Sequence, residues 1–251
     1  MLNILKTRIQ QKYRTHSFPN AEPVLPANFA GRPRLDSEKC VPDCHKCASL
    51  CPAGAIEAKN GKISLDLGRC IFCRQCEKAC SAGAIKFSQE YSMAVNSAQK
   101  LIVKDSEFEL AERMRDDLLK MFGRSFNLRQ VSAGGCNACE ADTNVLNTPL
   151  FDLSRFGIRF VASPRHADGL LITGPVTQNM LLALQKTYDA VPEPKIVIAV
   201  GACAISGGLF RDNAEVSNGA ANLFKVDLFV PGCPPSPWTI LDGLLRLLDR
   251  R

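Results

Sequence analysis

The sequence predicts an α/β protein in two parts, and three observations predict it. From residue 126 onward, short apolar runs alternate with stretches of helical periodicity, the pattern of a parallel sheet with crossover helices. Between residues 40 and 85 two dense cysteine runs repeat one another, so this smaller unit is organised by sulfur and metal. Residues 107–122 lie between the two, with Phe108, Ala111, Leu118, Leu119 and Phe122 at helical steps, and read as a linking helix that Gly123 would end. The expected division is 1–36, a helix and connector; 37–100, the cysteine unit; 101–125, the linker; and 126–251, the α/β unit.

The chain has 251 residues, 46% apolar and 22% charged, enough to bury a real core and unlike a disordered segment. Its 31 basic against 25 acidic side chains give +6. The excess is uneven: residues 1–20 contain Lys6, Arg8, Lys12 and Arg14 and no acid. That asymmetry points to an anionic neighbour, a membrane face or an acidic partner, with a solvated helix face as the plain alternative. Residues 1–13 hold no apolar core of signal-peptide length, and the longest apolar run, 196–205, falls short of the ~18 residues a span needs. A protein of a reducing compartment is therefore expected, in which clustered cysteines bind metal rather than pair as disulfides.

At the N-terminus Leu2, Leu5, Ile9 and Tyr13 recur at steps of three and four, an apolar stripe on a helix. It would lie on a bilayer interface, on a partner subunit or on this chain's own body. Residues 18–36 contain Pro19, Pro23, Pro26 and Pro33 and read as an extended connector.

In the repeat, Cys44, Cys47 and Cys51 map onto Cys73, Cys76 and Cys80 at an offset of 29 residues, and Ala53-Gly54-Ala55-Ile56 maps onto Ala82-Gly83-Ala84-Ile85. Cys40 and Cys70 break step by one, so the first run is C-x3-C-x2-C-x3-C and the second C-x2-C-x2-C-x3-C. Three closely spaced thiolates on one loop suit three corners of a cubane cluster, with the fourth ligand supplied from elsewhere. Exchange of last cysteines between repeats, as in bacterial ferredoxins, gives one cluster on Cys40, Cys44, Cys47 and Cys80, and a second on Cys70, Cys73, Cys76 and Cys51. Zinc sites present cysteines in pairs and seldom in threes.

In the second half the apolar runs fall at 128–131, 158–162, 170–173, 195–200 and 226–230, with helices near 176–187 and 237–248. Loops at the carboxyl ends of such strands carry function. There lie Gly134-Gly135-Cys136-Asn137-Ala138-Cys139-Glu140, Gly201-Ala202-Cys203 and Pro231-Gly232-Cys233-Pro234-Pro235, four thiols for a third cluster. Gly201 to Gly208 is glycine-rich but lacks both the G-x4-G-K-[ST] and the G-x-G-x-x-G pattern, so no nucleotide or flavin site is expected.

Residues 40–92 resemble a bacterial-type two-[4Fe-4S] ferredoxin domain. The run Ile71-Phe72-Cys73-Arg74-Gln75-Cys76-Glu77-Lys78-Ala79-Cys80, followed by Ile85-Lys86-Phe87-Ser88-Gln89-Glu90-Tyr91, resembles the ferredoxin-like subunit of formate hydrogenlyase and of respiratory complex I. Two departures are the extra residue between Cys40 and Cys44, and Ser81 where the family carries the proline that Pro52 keeps. Residues 126–240 resemble the small, complex I B-like subunit that holds the cluster nearest the large subunit. The likeness rests on Gly135-Cys136-Asn137-Ala138-Cys139-Glu140, Arg155-Phe156-Gly157-Ile158, Ser163-Pro164-Arg165-His166-Ala167-Asp168, Thr173-Gly174-Pro175-Val176-Thr177, Gly201-Ala202-Cys203 and Pro231-Gly232-Cys233-Pro234-Pro235-Ser236-Pro237. Ser132 and Asp142 depart from the usual residues.

The whole chain is thus similar to a fusion of two subunits that many such complexes keep separate. The resemblance implies a flavodoxin-like parallel α/β domain without flavin, three [4Fe-4S] clusters and no substrate-converting site on this chain. It also implies a peripheral position on the cytoplasmic face of the cell membrane, beside membrane subunits. The upstream donor would be formate dehydrogenase, ferredoxin or similar, and no nucleic acid is involved. Cys136 and Cys139 follow the C-x2-C spacing of energy-converting membrane-bound [NiFe] hydrogenases, where complex I has adjacent cysteines, so the partner implied is a large [NiFe] hydrogenase-like subunit. The alternatives are a complex I-like quinone oxidoreductase and, in another class, a metal-stabilised scaffold without redox turnover.

Among lesser candidates, Glu140 would relay protons or bond a ligand, the plainer expectation being an interface ion pair. His166 reads as a hydrogen-bonded structural histidine in preference to a cluster donor. Arg165 would face the large subunit or solvent, and His45, between two ligands, reads as an exposed loop residue.

Overall fold

The computed structural model describes residues 2–59, 61–105, 108–122 and 124–251. The helix α1 (Leu2–Gln11) leads into the connector, whose last part forms β1 (Pro33–Leu35). The cysteine unit follows as α2 (Lys46–Ser49), β2 (Ile56–Lys59), β3 (Lys62–Asp66), α3 (Gln75–Ala79), β4 (Ile85–Phe87) and β5 (Ile102–Val103). Its repeat is visible in the backbone: α2 and α3 each carry the third cysteine of a run, and Asp43 and Phe72, 29 residues apart in sequence, share φ near +60° (60° and 56°). Strands β2, β3 and β5 form one antiparallel sheet; β1 and β4 form another, in which Pro33 is tolerated because each strand has one free edge. Lys59 pairs with Lys62, so a two-residue turn joins β2 to β3. Its sequence, Asn60-Gly61, is a hairpin signal lying between the two cysteine runs; Gly61 takes φ +71° and Asn60 lies outside the described residues.

The linker differs from expectation. Only α4 (Asp116–Phe122) is helical, while residues 108–115 are irregular; Glu107 and Gly123 lie outside the described residues. The reason is where the backbone donors go. Ala111 N bonds Ala94 O at 2.7 Å and Met114 N bonds Leu247 O at 2.9 Å, and both side chains are buried, so tertiary partners replace the i−4 carbonyls that the helical pattern promised.

The second half contains β6 (Phe126–Ser132), α5 (Ala138–Val145), β7 (Ile158–Phe160), β8 (Gly169–Thr173), α6 (Gln178–Ala190), β9 (Ile196–Val200), α7 (Ala202–Ser206), β10 (Leu228–Val230) and α8 (Pro237–Leu247). All five strands are parallel, in the order β10-β9-β8-β6-β7. Taken in chain order that is 2-1-3-4-5, the flavodoxin-like arrangement, with its switch point between β6 and β8. Strands β8 and β9 are buried along their whole length, which is why they read as continuous apolar runs rather than alternating ones. The amino ends of the sheet are pinned twice by aspartate. Asn127 N donates to Asp168 Oδ2 at 2.6 Å while Asp168 N donates to Asn127 O at 2.7 Å, and Val197 N and Asp227 repeat the ring at 2.9 and 2.8 Å. Helix α8 starts at a Ser236 cap that accepts from Trp238 N and packs Ile240, Leu241, Leu244, Leu245 and Leu247 on the sheet.

The two halves share one apolar core, in which Leu65 and Ile85 of the cysteine unit join Ile172, Val197 and Phe229 of the sheet. Val95 pairs antiparallel with Phe229, with N–H···O bonds of 3.0 and 2.8 Å, and Ser206 Oγ donates to Gly68 O at 2.8 Å.

Candidate metal centres

The loop after β6 carries two thiols because Gly134 (φ +84°) and Asn137 (φ +70°) turn the chain sharply into α5, placing Cys136 before the helix and Cys139 in its first turn. The start of α7, directly after β9, and the loop after β10 bring Cys203 and Cys233 to the same carboxyl end of the sheet. Glycine is required at two points. At Gly201 φ is +90° and a Cβ would lie 2.5 Å from Cys139 Sγ; at Gly208 it would lie 2.9 Å from Cys203 Sγ. The backbone is therefore shaped around the sulfurs.

All twelve cysteines are free thiols, and the neighbours that raise the most perturbed of them fall into three sets. The Cys40 thiol is pushed up by burial and then by Cys44 and Cys80, and that of Cys47 by burial and then by Cys80 and Cys40. Burial pushes Cys70 up to about 12 and Cys76 up to about 11, each reinforced by Cys51 and Cys73. Burial also pushes Cys139 up to about 12, with Glu140, Cys203, Cys233 and Cys136 adding to it, and Cys203 up to about 11. So Cys80 acts on Cys40 and Cys47 of the first run, Cys51 on Cys70 and Cys76 of the second, and Cys136, Cys203 and Cys233 on Cys139.

Burial disfavours the bare thiolates of these cysteines, a cost that a cationic group displacing the protons would offset. Backbone donors already point at three sulfurs: Ala55 N at Cys51 Sγ and Ala84 N at Cys80 Sγ, both 3.3 Å, and Phe72 N at Cys70 Sγ, 3.4 Å. Such bonds help to set a cluster's potential. A cavity of about 390 Å³ opens among Cys40, Cys44, Cys47 and Cys80. Among the described residues no three Cys, His, Asp or Glu side chains are arranged to hold a metal ion. A cubane cluster makes no such demand, since each thiolate binds a different iron.

Residues 63–86 match the 4Fe-4S binding domain, and residues 136–247 match the family described as NADH ubiquinone oxidoreductase, 20 Kd subunit. The probable membrane-bound hydrogenase subunit mbhJ of Pyrococcus furiosus is 41% identical over 149 residues, 59% of this chain and 89% of that protein. The chain belongs to the 20 Kd subunit family of hydrogenases and complex I. Within that family, formate hydrogenlyase subunit 7 of Escherichia coli is 45% identical over 55% of this chain and 55% of its own length, so this chain spans about half of that relative. An NADH-quinone oxidoreductase subunit of Citrifermentans bemidjiense is 46% identical over 46% of this chain and 68% of that protein. The 4Fe-4S match identifies iron–sulfur clusters as the metal chemistry that the raised thiols fit.

The 20 Kd family region also corrects the expectation for His166 and fixes the surroundings of Glu140. Among the described residues Glu140 forms no ion pair. It is 6% exposed, and its Oε1 accepts from Ser132 Oγ at 2.5 Å and from Thr173 Oγ1 at 2.6 Å. A buried carboxylate beside two thiols is held in place by hydroxyls, because an unpaired one would be too costly. His166 is exposed, and among the described residues its ring makes no hydrogen bond, so it is not a structural anchor; Arg165 is exposed as well. His45 is exposed, as expected. In the sequence Thr173 stands out only for resemblance and Ser132 only as a departure. The available signal was position: both end a strand, β8 and β6, beside the switch point.

Proposed function

We propose that this chain is the electron-transfer subunit of a membrane-associated [NiFe] hydrogenase complex of the formate hydrogenlyase type. Three [4Fe-4S] clusters would be held by Cys40, Cys44, Cys47 and Cys80; by Cys70, Cys73, Cys76 and Cys51; and by Cys136, Cys139, Cys203 and Cys233. The observation that carries the reading is the contact between the second and third groups. Ser206 Oγ bonds Gly68 O at 2.8 Å, and these residues stand three after Cys203 and two before Cys70. Chain geometry keeps those two cysteine backbones within about 20 Å. Electrons would enter at the Cys40 group and pass through the Cys70 group to Cys139, whose loop is where a large subunit would dock.

On this reading the protein binds, orients and insulates, and each cluster supplies one-electron redox chemistry. The hydrogenase partner is favoured by the C-x2-C spacing of Cys136 and Cys139 and by relatives named as membrane-bound hydrogenase and formate hydrogenlyase subunits. The complex I-like alternative is favoured by the 46% identity to the NADH-quinone oxidoreductase relative. Among the described residues no helix is long and apolar enough to cross a membrane. A peripheral position on the cytoplasmic face, beside membrane subunits, completes the reading, and its support is that a relative is named as a subunit of a membrane-bound hydrogenase.

The test is anaerobic co-purification with the large subunit, a nickel assay, and hydrogen evolution with Cys203→Ser. The reading requires nickel, activity in wild type, and loss of activity in the variant while the ferredoxin-unit clusters still reduce with dithionite. A nickel-free large subunit that reduces quinone would select the alternative. Hydrogen evolution unchanged in Cys203→Ser would remove the proposed route.

A further inference from the structure

The rest of the fold leaves the apolar side chains of helix α1 uncovered. Ile4, Leu5 and Ile9 keep 73%, 61% and 75% of their surface exposed, and Tyr13 just beyond the helix keeps 85%; the side chain of Leu2 lies outside those described. This excludes the expectation that the helix docks on the chain's own body. The helix ends at Lys12, which turns to φ +56° while Arg8 Nη1 donates to its carbonyl at 2.9 Å. A few residues later the chain is fixed again. His16 N bonds Leu150 O at 2.9 Å, Arg155 Nη2 donates to Phe18 O at 2.9 Å, and the buried Phe18 ring lies against Tyr91 and Trp238. The segment is an exposed arm on a root held by these contacts.

The arm's side chains are sorted by angle. At ~100° per residue, Leu5 and Ile9 share one line along the helix, and Lys6 and Arg8 fall about 80° to either side of it. Ile4 stands beside Arg8, and Asn3, Thr7, Gln10 and Gln11, polar and uncharged, cover the back. Lys12 and Arg14 add two further cations close by, and no acid occurs in residues 1–20. An apolar line bracketed on both sides by cations with long apolar stems suits a planar anionic boundary, where the heads reach phosphate while the line enters the acyl region.

We propose that α1 lies in the plane of an anionic lipid surface, with Leu5 and Ile9 toward the acyl chains and Lys6 and Arg8 on headgroup phosphates. This deepens the functional reading above and rests on it only in taking a membrane as the neighbour. The arm would hold the root at His16 and Phe18, and with it the carboxyl-end loops of the sheet, close to the bilayer.

The test uses the full, cluster-loaded chain, sedimented with vesicles of phosphatidylcholine alone and of an equal mixture with phosphatidylglycerol. The expected result is binding to the anionic vesicles only, weakening as salt is raised. Lys6→Gln and Arg8→Gln should each lower the affinity on the order of five-fold. Leu5→Ser with Ile9→Ser should abolish binding with the charge unchanged. These side chains are exposed, so an unaltered visible cluster spectrum checks that the fold persists. No binding to anionic vesicles, or binding that ignores both sets of substitutions, overturns the proposal. So does detergent-stable capture of the membrane subunits that depends on Leu5 and Ile9 when vesicle binding does not, which would assign the arm to a protein groove. A wild-type chain lacking cluster absorption would instead count against the electron-transfer reading, because the vesicle assay still reports on α1.

Discussion

A methyl group on Gly201 would sit 2.5 Å from the sulfur of Cys139. The same glycine has φ +90°, so two independent constraints, a left-handed backbone and an occupied side-chain position, fall on one residue at the end of β9. Gly201→Ala should therefore displace the sulfur or the loop. The expected outcome is loss of about one third of the bound iron, with the reduced-cluster signals of the ferredoxin unit intact, checked by metal analysis and electron paramagnetic resonance. Full iron retention in that variant would show that the loop can yield.

The exchange of last cysteines gives a sharper test. Cys80→Ser should disturb the cluster that shares Cys40, Cys44 and Cys47, and Cys51→Ser the one that shares Cys70, Cys73 and Cys76. The two variants, titrated potentiometrically, should each lose or shift a different resonance. If Cys80→Ser altered the same resonance as Cys76→Ser, ligation would follow the runs and not the exchange.

Glu140 lies beside Cys139 and takes both of its hydroxyl donors on Oε1. Thr173→Val keeps the shape and removes the buried donor, at a cost of about 1–3 kcal/mol. For a chain of this size that lowers the melting temperature by roughly 2–4 °C per kcal/mol, measurable by calorimetry. Glu140→Gln removes a negative charge near the sulfurs and should raise the potential of that cluster by several tens of millivolts, the scale of one charge at an effective dielectric of about 20. A potential unmoved by the substitution would place the carboxylate outside the cluster's field.

Burial pushes the Asp227 carboxyl above its usual range, opposed by the bond from Val197 N. A group whose folded pKa is raised contributes stability that is full below its unfolded pKa and is lost as pH rises through the folded one. Asp227→Asn keeps the acceptor and cannot ionise. It should match wild type at acid pH, near the usual carboxylate range, and melt higher at neutral pH. A pH-independent difference between the two proteins would contradict that sign.

Much of this architecture is legible in the sequence because the strongest signals are local. Short apolar runs at 170–173 and 196–200 alternating with helical periodicity favour a parallel sheet, and a 29-residue offset that superimposes three cysteines needs no coordinates. The parts that escape the sequence are those set by distant partners. Residues 108–115 have helical spacing, yet their amides bond Ala94 and Leu247, elements that periodicity does not reveal. Spacing offers Glu140 a proton relay, a bond to a ligand or an interface ion pair, and does not reveal that Thr173, 33 residues away, supplies the hydroxyl that makes its burial tolerable. The Asp168 and Asp227 rings look like ordinary loop acids for the same reason. Among the site residues the thiols were readable by their spacing, whereas the groups that hold and tune them were not.

The central claim is that twelve thiols in three groups of four hold three [4Fe-4S] clusters. Iron and acid-labile sulfide, quantified on the anaerobically purified chain, test it most directly. The account requires close to twelve of each per chain. A preparation that is colourless, or that contains zinc in place of iron, would contradict it.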